Sequence, residues 1–88
     1  MAFNVGCTAV VVFMTPEHIY CANSGDSRSV LARMSESGTL QAVALSEDHK
    51  PENELEKARI EAAGGYVKDN RVNGNLNLSR SLGDFEYK

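Results

Sequence analysis

Residues 6–13 form a nearly continuous run of apolar and β-branched residues, and this run limits the fold more than any other feature of the sequence. A run of about four to eight such residues is typical of a β-strand that is buried on both faces. Three more strand-like runs follow at hairpin spacing, over residues 18–23, 29–34 and 39–45. We therefore expect an antiparallel β meander whose first strand is central in the sheet.

The size of the chain limits what it can build. With 88 residues it makes one domain at most, and a chain of this length buries only roughly 60–65% of the surface that its unfolded form exposes. No apolar run approaches the roughly 20 residues that a bilayer crossing needs, and we expect no targeting segment. The net charge of −3 argues against nucleic acid or an acidic membrane as a partner, because both bind basic surfaces.

The two cysteines indicate the compartment. If the turn at Thr15-Pro16 closes a hairpin, opposed residues have numbers that sum to about 31, which puts Val10 opposite Cys21 and Ser24 opposite Cys7. The two sulfur atoms are then not opposed, and no Cys/His cluster suggests zinc. We expect two free thiols and an intracellular protein, cytoplasmic or nuclear.

The hydrophobic period changes from two to 3.6 after the fourth strand-like run. Asn53 and Glu56 have the spacing of a capping box, which predicts a helix from Glu54 to Ala63. Gly64-Gly65 suits the left-handed cap at its end better than a phosphate loop, which would precede a helix. The apolar stripe of this helix is expected at Leu55, Ala58 and Ala62, with Ile60 and Ala63 beside it.

A short segment follows the helix. Tyr66 to Lys68 is expected to be extended, Asp69-Asn70 to be a loop, and Arg71 to Ser79 to form strands around a type I′ turn at Asn73-Gly74.

Four polar clusters lie at the ends of these elements, and each has two interpretations. They are Gly25–Arg28, Asp48–Pro51, Arg71–Gly74, and Ser79-Arg80 with Gly83-Asp84. Asp26 can belong to an ordinary Gly-Asp turn or to a site, although one Asp supplies only one or two of the about six ligands of Mg²⁺ or Mn²⁺. His49 can be a base or a ligand, or can pack at the strand-to-helix junction while Asp48 caps the helix, which we favour. Arg71 and Arg80 can hold an anion or pair with a neighbouring acid.

Five motifs in order and at consistent spacing closely resemble the metal-dependent type 2C (PPM) protein serine/threonine phosphatases. Any one of these motifs alone is weak, and the resemblance covers nearly the whole chain from Gly6 onward. The motifs are Gly6-Cys7-Thr8-Ala9, Gly25-Asp26-Ser27-Arg28, Asp48-His49-Lys50-Pro51, Glu56 through Arg59-Ile60 to Ala63-Gly64-Gly65, and Arg71-Val72-Asn73-Gly74 with Ser79-Arg80-Ser81-Leu82-Gly83-Asp84.

The resemblance implies an α+β fold, part of the α/β/β/α sandwich in which two antiparallel sheets pack face to face with helices outside. It also implies an enzyme in which two Mg²⁺ or Mn²⁺ ions activate a water molecule that attacks phosphoserine or phosphothreonine. The expected cofactor is therefore Mg or Mn, and the expected partners are proteins that carry phosphoserine or phosphothreonine.

Site residues are carried over only where this sequence matches the family. Asp26 matches the carboxylate of an accessory third metal site. The helix and the segment from Tyr66 to Asn73 match the flap that overhangs the site. The residues expected on the flap or substrate side are Tyr66, Arg71, Asn73 and Arg80. Those expected to have structural roles are Gly25, Arg28, Asp48, His49, Gly64, Gly65, Gly83 and Asp84.

The chain also departs from the family pattern, because the residues that bind the main metal pair upstream and downstream are absent from it. We therefore expect residues 1–88 to be a single partial domain from the centre of a catalytic domain, inactive alone and prone to self-association. The alternatives are a truncated product or pseudophosphatase that acts as an interaction module through its flap, and a small unrelated sheet domain with accidental matches.

Overall fold

A computed structural model describes residues 2–88 as an α+β chain of short antiparallel strands and one α-helix, and the expected fold class is confirmed. No helix among these residues has the length and apolar character that crossing a membrane requires. The elements, in chain order, are β1 (Gly6–Cys7), β2 (Ala9–Met14), β3 (Ile19–Ser24), β4 (Val30–Met34), β5 (Leu40–Ala44), α1 (Glu54–Ala62), β6 (Val67–Lys68), β7 (Arg71–Val72), β8 (Leu82–Gly83) and a 3₁₀ turn (Phe85–Tyr87).

The hairpin of β2 and β3 forms as expected, but its predicted register is wrong by two residues. Val12 lies opposite Cys21, and Ala9 lies opposite Ser24. The reason is the turn, which closes where the Thr15 amide donates to the His18 carbonyl oxygen at 2.8 Å. Because Cys7 lies outside this hairpin, the sulfur atoms are still not opposed, and both thiols are free.

The four long strands form two separate hairpins, so the continuous meander is a wrong prediction. β2 pairs only with β3, and β4 pairs only with β5. The turn between β3 and β4 does not close a third hairpin, because the amide and the carbonyl of Gly25 both bond to His49 instead.

The first apolar run is neither one strand nor buried on both faces, and this prediction is also wrong. The run divides at Thr8 into β1, which pairs with β8, and β2, which pairs with β3. On β2, Val11 is 61% exposed and Phe13 is 64% exposed, because no second layer covers this hairpin within residues 2–88.

The helix begins at the predicted residue, but its cap and its buried face differ from the prediction. Asn53 occupies the N-cap position, yet its side-chain amide donates to the Asp48 carbonyl oxygen, so no capping box forms. Leu55 is 88% exposed, whereas Glu56 and Ile60 are buried. The apolar stripe was predicted on the wrong face, because α1 packs against the rest of the chain through the face that carries residues 56 and 60, one turn apart.

The C-terminus of α1 has the predicted glycine cap. The Gly64 amide donates to the Glu61 carbonyl oxygen and the Gly65 amide to that of Ile60, both at 3.0 Å. These two bonds are those of a Schellman motif, with Gly64 at a positive φ of 92°.

The flap segment, residues 66–73, contains the small hairpin of β6 and β7. The predicted turn at Asn73-Gly74 is confirmed by φ angles of 51° and 75° and by the Asn75 amide, which donates to the Val72 carbonyl oxygen. Ile60 and Val72, each 8% exposed, are the buried hydrophobic residues of the described chain. The helix and the flap therefore share the small core.

Candidate functional site

Three of the four polar clusters meet at one place in the structure. They are the polar turn (Gly25–Arg28) after β3, the connector (Asp48–Lys50) between β5 and α1, and the return segment (Ser79–Ser81) before β8. The connector is central, because each of its residues contacts a different residue of the polar turn.

His49 joins the connector to the polar turn through two hydrogen bonds with the same residue. The Gly25 amide donates to His49 Nδ1 at 3.0 Å, and the His49 amide donates to the Gly25 carbonyl oxygen at 2.9 Å. Nδ1 is therefore an acceptor, which fixes the tautomer with its proton on Nε2. His49 lies at the strand-to-helix junction, as the favoured interpretation predicted.

Asp48 and Arg28 form a two-pronged ion pair, so the prediction that Asp48 caps the helix is wrong. Arg28 Nε donates to Asp48 Oδ1 at 3.0 Å and Arg28 Nη2 to Oδ2 at 2.7 Å. The hydrogen bonds from Arg28 lower the pKa of Asp48 below its usual value. This geometry fixes the end of the polar turn more firmly than a single contact would.

Asp26 lies beside a cation of the chain itself, because Lys50 Nζ is 3.9 Å from Asp26 Oδ2. The Asp26 side chain is 24% exposed. Among residues 2–88, no three His, Cys, Asp or Glu side chains gather closely enough to hold a metal ion. One carboxylate cannot supply the oxygen ligands of Mg²⁺ or Mn²⁺, so the donor set of this chain does not fit a complete metal site.

The return segment packs against both other clusters. The Ser79 amide donates to the His49 carbonyl oxygen at 3.1 Å. At Gly25, where φ is 123°, a Cβ atom would overlap the side chain of Thr8 and lie 3.1 Å from the Arg80 carbonyl oxygen. Only glycine fits where these segments meet.

Arg80 pairs with an acid, which resolves the two alternatives that its sequence position left open. Arg80 Nε donates to Glu56 Oε1 at 2.6 Å, and Arg59 Nε donates to Glu56 Oε2 at 3.0 Å. Burial raises the pKa of Glu56, but the hydrogen bonds from Arg80 and Arg59 outweigh it, so the pKa is lowered overall. Sequence reasoning assigned Glu56 to a helix cap; the signal it passed over was Arg59, one helical turn further along.

A cavity of about 520 Å³ opens between the connector and the first turns of α1. Carboxylates are frequent in its lining, and Arg80 is the arginine that faces it. The complete lining is Glu47, Asp48, His49, Asn53, Glu54, Leu55, Glu56 and Arg80.

The remaining predicted site residues lie outside this convergence. In the flap, the Tyr66 amide donates to Asn73 Oδ1 at 3.1 Å, and Arg71 Nη1 donates to the Asn75 carbonyl oxygen at 2.9 Å. Among residues 2–88, no hydrogen bond or ion pair joins Tyr66, Arg71 or Asn73 to the polar turn or the connector. Near the end of the chain, Gly83 pairs with Gly6 across β1 and β8, and Asp84 accepts a hydrogen bond from the Ser81 hydroxyl.

Comparison with known proteins identifies what this arrangement resembles. The sequence model of the protein phosphatase 2C family matches residues 2–88. The chain is 58% identical over 83 residues to "Probable protein phosphatase 2C 3" of Paramecium tetraurelia. It is 59% identical over 83 residues to "Protein phosphatase 2C homolog 3" of Schizosaccharomyces pombe. Each match covers 94% of this chain, but the chain spans only 26% and 19% of those relatives.

A solved structure also has a similar fold. The crystal structure of a phosphatase from a pathogenic strain of Toxoplasma gondii superposes with a TM-score of 0.60 at 28% sequence identity. The superposition covers 93% of this chain and 35% of the other. The similarity in sequence is therefore accompanied by a similarity in fold along nearly the whole chain.

Proposed function

This chain belongs to the protein phosphatase 2C family, and from that premise we propose that the protein containing it hydrolyses phosphoserine and phosphothreonine in other proteins. The observation that carries this proposal is the family match over residues 2–88, supported by a related fold at a TM-score of 0.60. The polar turn, the connector and the return segment then form one edge of the catalytic domain.

The chain is one part of that domain rather than the whole of it. It spans about a fifth to a quarter of the relatives described above. Mg or Mn bound by the whole protein would supply the activated water for this hydrolysis. Asp26 is the accessory carboxylate of this chain for that metal centre, and the other ligands come from elsewhere in the protein. The isolated chain is therefore inactive.

The test is a phosphatase assay on the full-length product of the gene that encodes this chain. Phosphoserine and phosphothreonine peptides are offered with Mn²⁺, and a phosphotyrosine peptide of the same sequence is the control. We expect release of phosphate from the first two, lost on chelation of the metal. Metal-independent hydrolysis, or no hydrolysis of either peptide, would reject the proposal.

A second candidate is an interaction module that acts through the flap. Its support is the exposure of Tyr66, which is 54% exposed beside the Asn73-Gly74 turn. A full-length product that binds phosphopeptides without hydrolysing them, and loses that binding on Tyr66→Ala, would favour the module over the enzyme. An active full-length product removes this candidate.

A further inference from the structure

Glu56 is the feature of the structure that the proposed function leaves unexplained. Its side chain is only 7% exposed, in a chain where most large hydrophobic side chains are exposed. Burying a carboxylate is unfavourable unless charged partners compensate for its lost hydration. The capping box that the sequence predicts between Glu56 and Asn53 does not form. The burial of this carboxylate therefore needs another explanation.

The partners of Glu56 come from two different parts of the chain. Arg59 lies on the same helix, one turn further on, and its Nε is 3.0 Å from Oε2. Arg80 lies 24 residues along the chain, with Nε 2.6 Å from Oε1 and Nη2 3.4 Å from Oε2. Both carboxylate oxygens are therefore occupied by guanidinium donors, and Arg80 contacts both of them.

Arg59 closes this set of contacts into a ring. Its Nη2 donates to the carbonyl oxygen of Ser79 at 2.7 Å, and Ser79 precedes Arg80. The helix thus holds the return segment at two successive residues, by the backbone at Ser79 and by the side chain at Arg80. A shift of Arg59 would break its hydrogen bonds to Glu56 and to the Ser79 carbonyl oxygen, and a shift of Arg80 would break its hydrogen bonds to Glu56.

The ring also fixes where the chain returns to α1 after the flap. The flap starts directly after the cap of α1, where the Gly65 amide bonds to Ile60, and the chain comes back to the same helix at Ser79 and Arg80. The beginning and the end of this excursion are therefore attached to one helix. From the return segment, the Ser79 amide continues to the His49 carbonyl oxygen in the connector.

We infer that Glu56 is a positioning residue, whose buried carboxylate orients Arg80 and thereby docks the return segment, which follows the flap, onto α1 and the connector. The negative charge is essential to this role. A glutamine at position 56 would have one acceptor oxygen instead of two, and its amide hydrogens would face the guanidinium groups. This inference concerns residues of the chain and does not depend on whether the protein is active.

The test compares Glu56→Gln with Glu61→Gln in the full-length protein that contains this chain. Glu61 is an exposed glutamate of the same helix, and it forms no ion pair among residues 2–88. Two NMR observables report on docking: the Nε–H signal of Arg80, and hydrogen exchange of the Ser79 amide, which bonds across to His49. The Leu45 amide, which bonds to the Ser29 carbonyl oxygen next to the outer ends of β4 and β5, reports on the rest of the fold.

For Glu56→Gln we expect the Arg80 Nε–H signal to lose its protection from exchange. The Ser79 amide should exchange roughly tenfold faster or more, since a hydrogen bond to a charged group changes a local opening equilibrium by about that factor. The Leu45 amide should not change, and Glu61→Gln should change none of the three.

Three results would overturn the inference. If Ser79 and Leu45 accelerate equally in Glu56→Gln, the carboxylate supports the whole fold rather than one segment. If the Arg80 signal changes while the Ser79 amide stays protected, Arg80 is not what docks the return segment. Glu56→Asp separates the effect of the charge from that of side-chain length, because it keeps the charge on a shorter side chain. We expect protection of the Ser79 amide between that of the unmodified chain and that of Glu56→Gln. Protection no better than in Glu56→Gln would also count against the inference.

Discussion

At the scale of single residues, the candidate site depends on close approaches between segments that are distant in sequence. Gly25 is the clearest case, because it is buried between Thr8 and the backbone of Arg80 while its amide and carbonyl both bond to His49. A side chain at this position would separate the polar turn from both neighbours. The polar turn is therefore a packing junction as well as the location of Asp26.

Gly25→Ala should destabilise the chain more than the same change at Gly38. Both glycines have positive φ, at 123° and 83°, but a Cβ atom at Gly38 meets nothing within 4 Å. We expect about 1 kcal/mol for the backbone strain at Gly38 and about 2–4 kcal/mol at Gly25, where overlap adds to the strain. Urea unfolding of the two variants measures the difference, and equal losses would mean that the contacts at Gly25 can relax.

The contribution of Glu56 to stability should depend on pH in a defined direction. Its pKa is lowered in the folded chain from the usual value of 4.5, so the folded state favours the ionised form. The stabilisation is therefore fully present above that value, and it is lost as the pH falls through the lowered pKa.

Unfolding of the unmodified chain and of Glu56→Gln, followed from about pH 6 to about pH 3, checks this dependence. The difference in unfolding free energy should be largest at the upper end and should narrow below the usual pKa. Asp48 also has a lowered pKa, but it titrates in both proteins and cancels in the comparison. A difference that stays constant across this range would contradict the assignment.

At the scale of elements, α1 has a buried face that differs from its most hydrophobic face. Ile60 is 8% exposed and Leu55 is 88% exposed, although both are large aliphatic residues on the same helix. The helix packs through Glu56 and Ile60 against the return segment and the flap. Leu55 instead borders the cavity of about 520 Å³ beside the connector.

Two substitutions on this helix should therefore have very different effects. Ile60→Ala removes buried methylene groups and should cost about 2–4 kcal/mol of unfolding free energy. Leu55→Ala removes groups that are already exposed, and its effect should stay within about 0.5 kcal/mol. Urea unfolding of both variants provides the measurement. A loss at Leu55 as large as the loss at Ile60 would show that α1 packs through the stripe expected from the sequence.

Elements that depend on nearby residues could be predicted from the sequence, whereas their pairing could not. The cap at Gly64-Gly65 and the turn at Asn73-Gly74 are confirmed because glycine and asparagine adopt positive φ at low cost. The register of β2 and β3 depends on which residues close the turn. The proline at position 16 indicates that a turn is present but not which pair of residues closes it. Glu56 was misassigned because one of its two partners, Arg80, lies 24 residues away.

At the scale of the whole molecule, the chain exposes more surface than a complete domain of its mass. Its accessible surface is 6546 Å², whereas a folded monomer of 9.6 kDa is expected to expose about 5,100 Å². Its radius of gyration is 16.1 Å, against about 12 Å expected for a compact chain of this length. The excess area is similar to the total buried in a standard protein interface, about 1,600 Å².

The isolated chain should therefore self-associate through its uncovered hairpins. Val11, Phe13 and Met34 are each at least 60% exposed, and burying such faces is favourable. Sedimentation velocity should show a weight-average mass that rises with concentration. Phe13→Lys should reduce this rise, because a charge on the exposed strand opposes pairing. A compact monomer at all concentrations, with sharp unfolding, would contradict the prediction.

The central claim is that residues 2–88 have the local structure of one part of a protein phosphatase 2C domain, and that no complete set of metal ligands lies among them. The most direct test is hydrolysis of a phosphoserine peptide by the isolated 88-residue chain in the presence of Mn²⁺. We expect no phosphate release above the background of peptide and metal alone. Release that depends on Mn²⁺ and stops when the metal is chelated would contradict it, since a complete site would then lie within this chain.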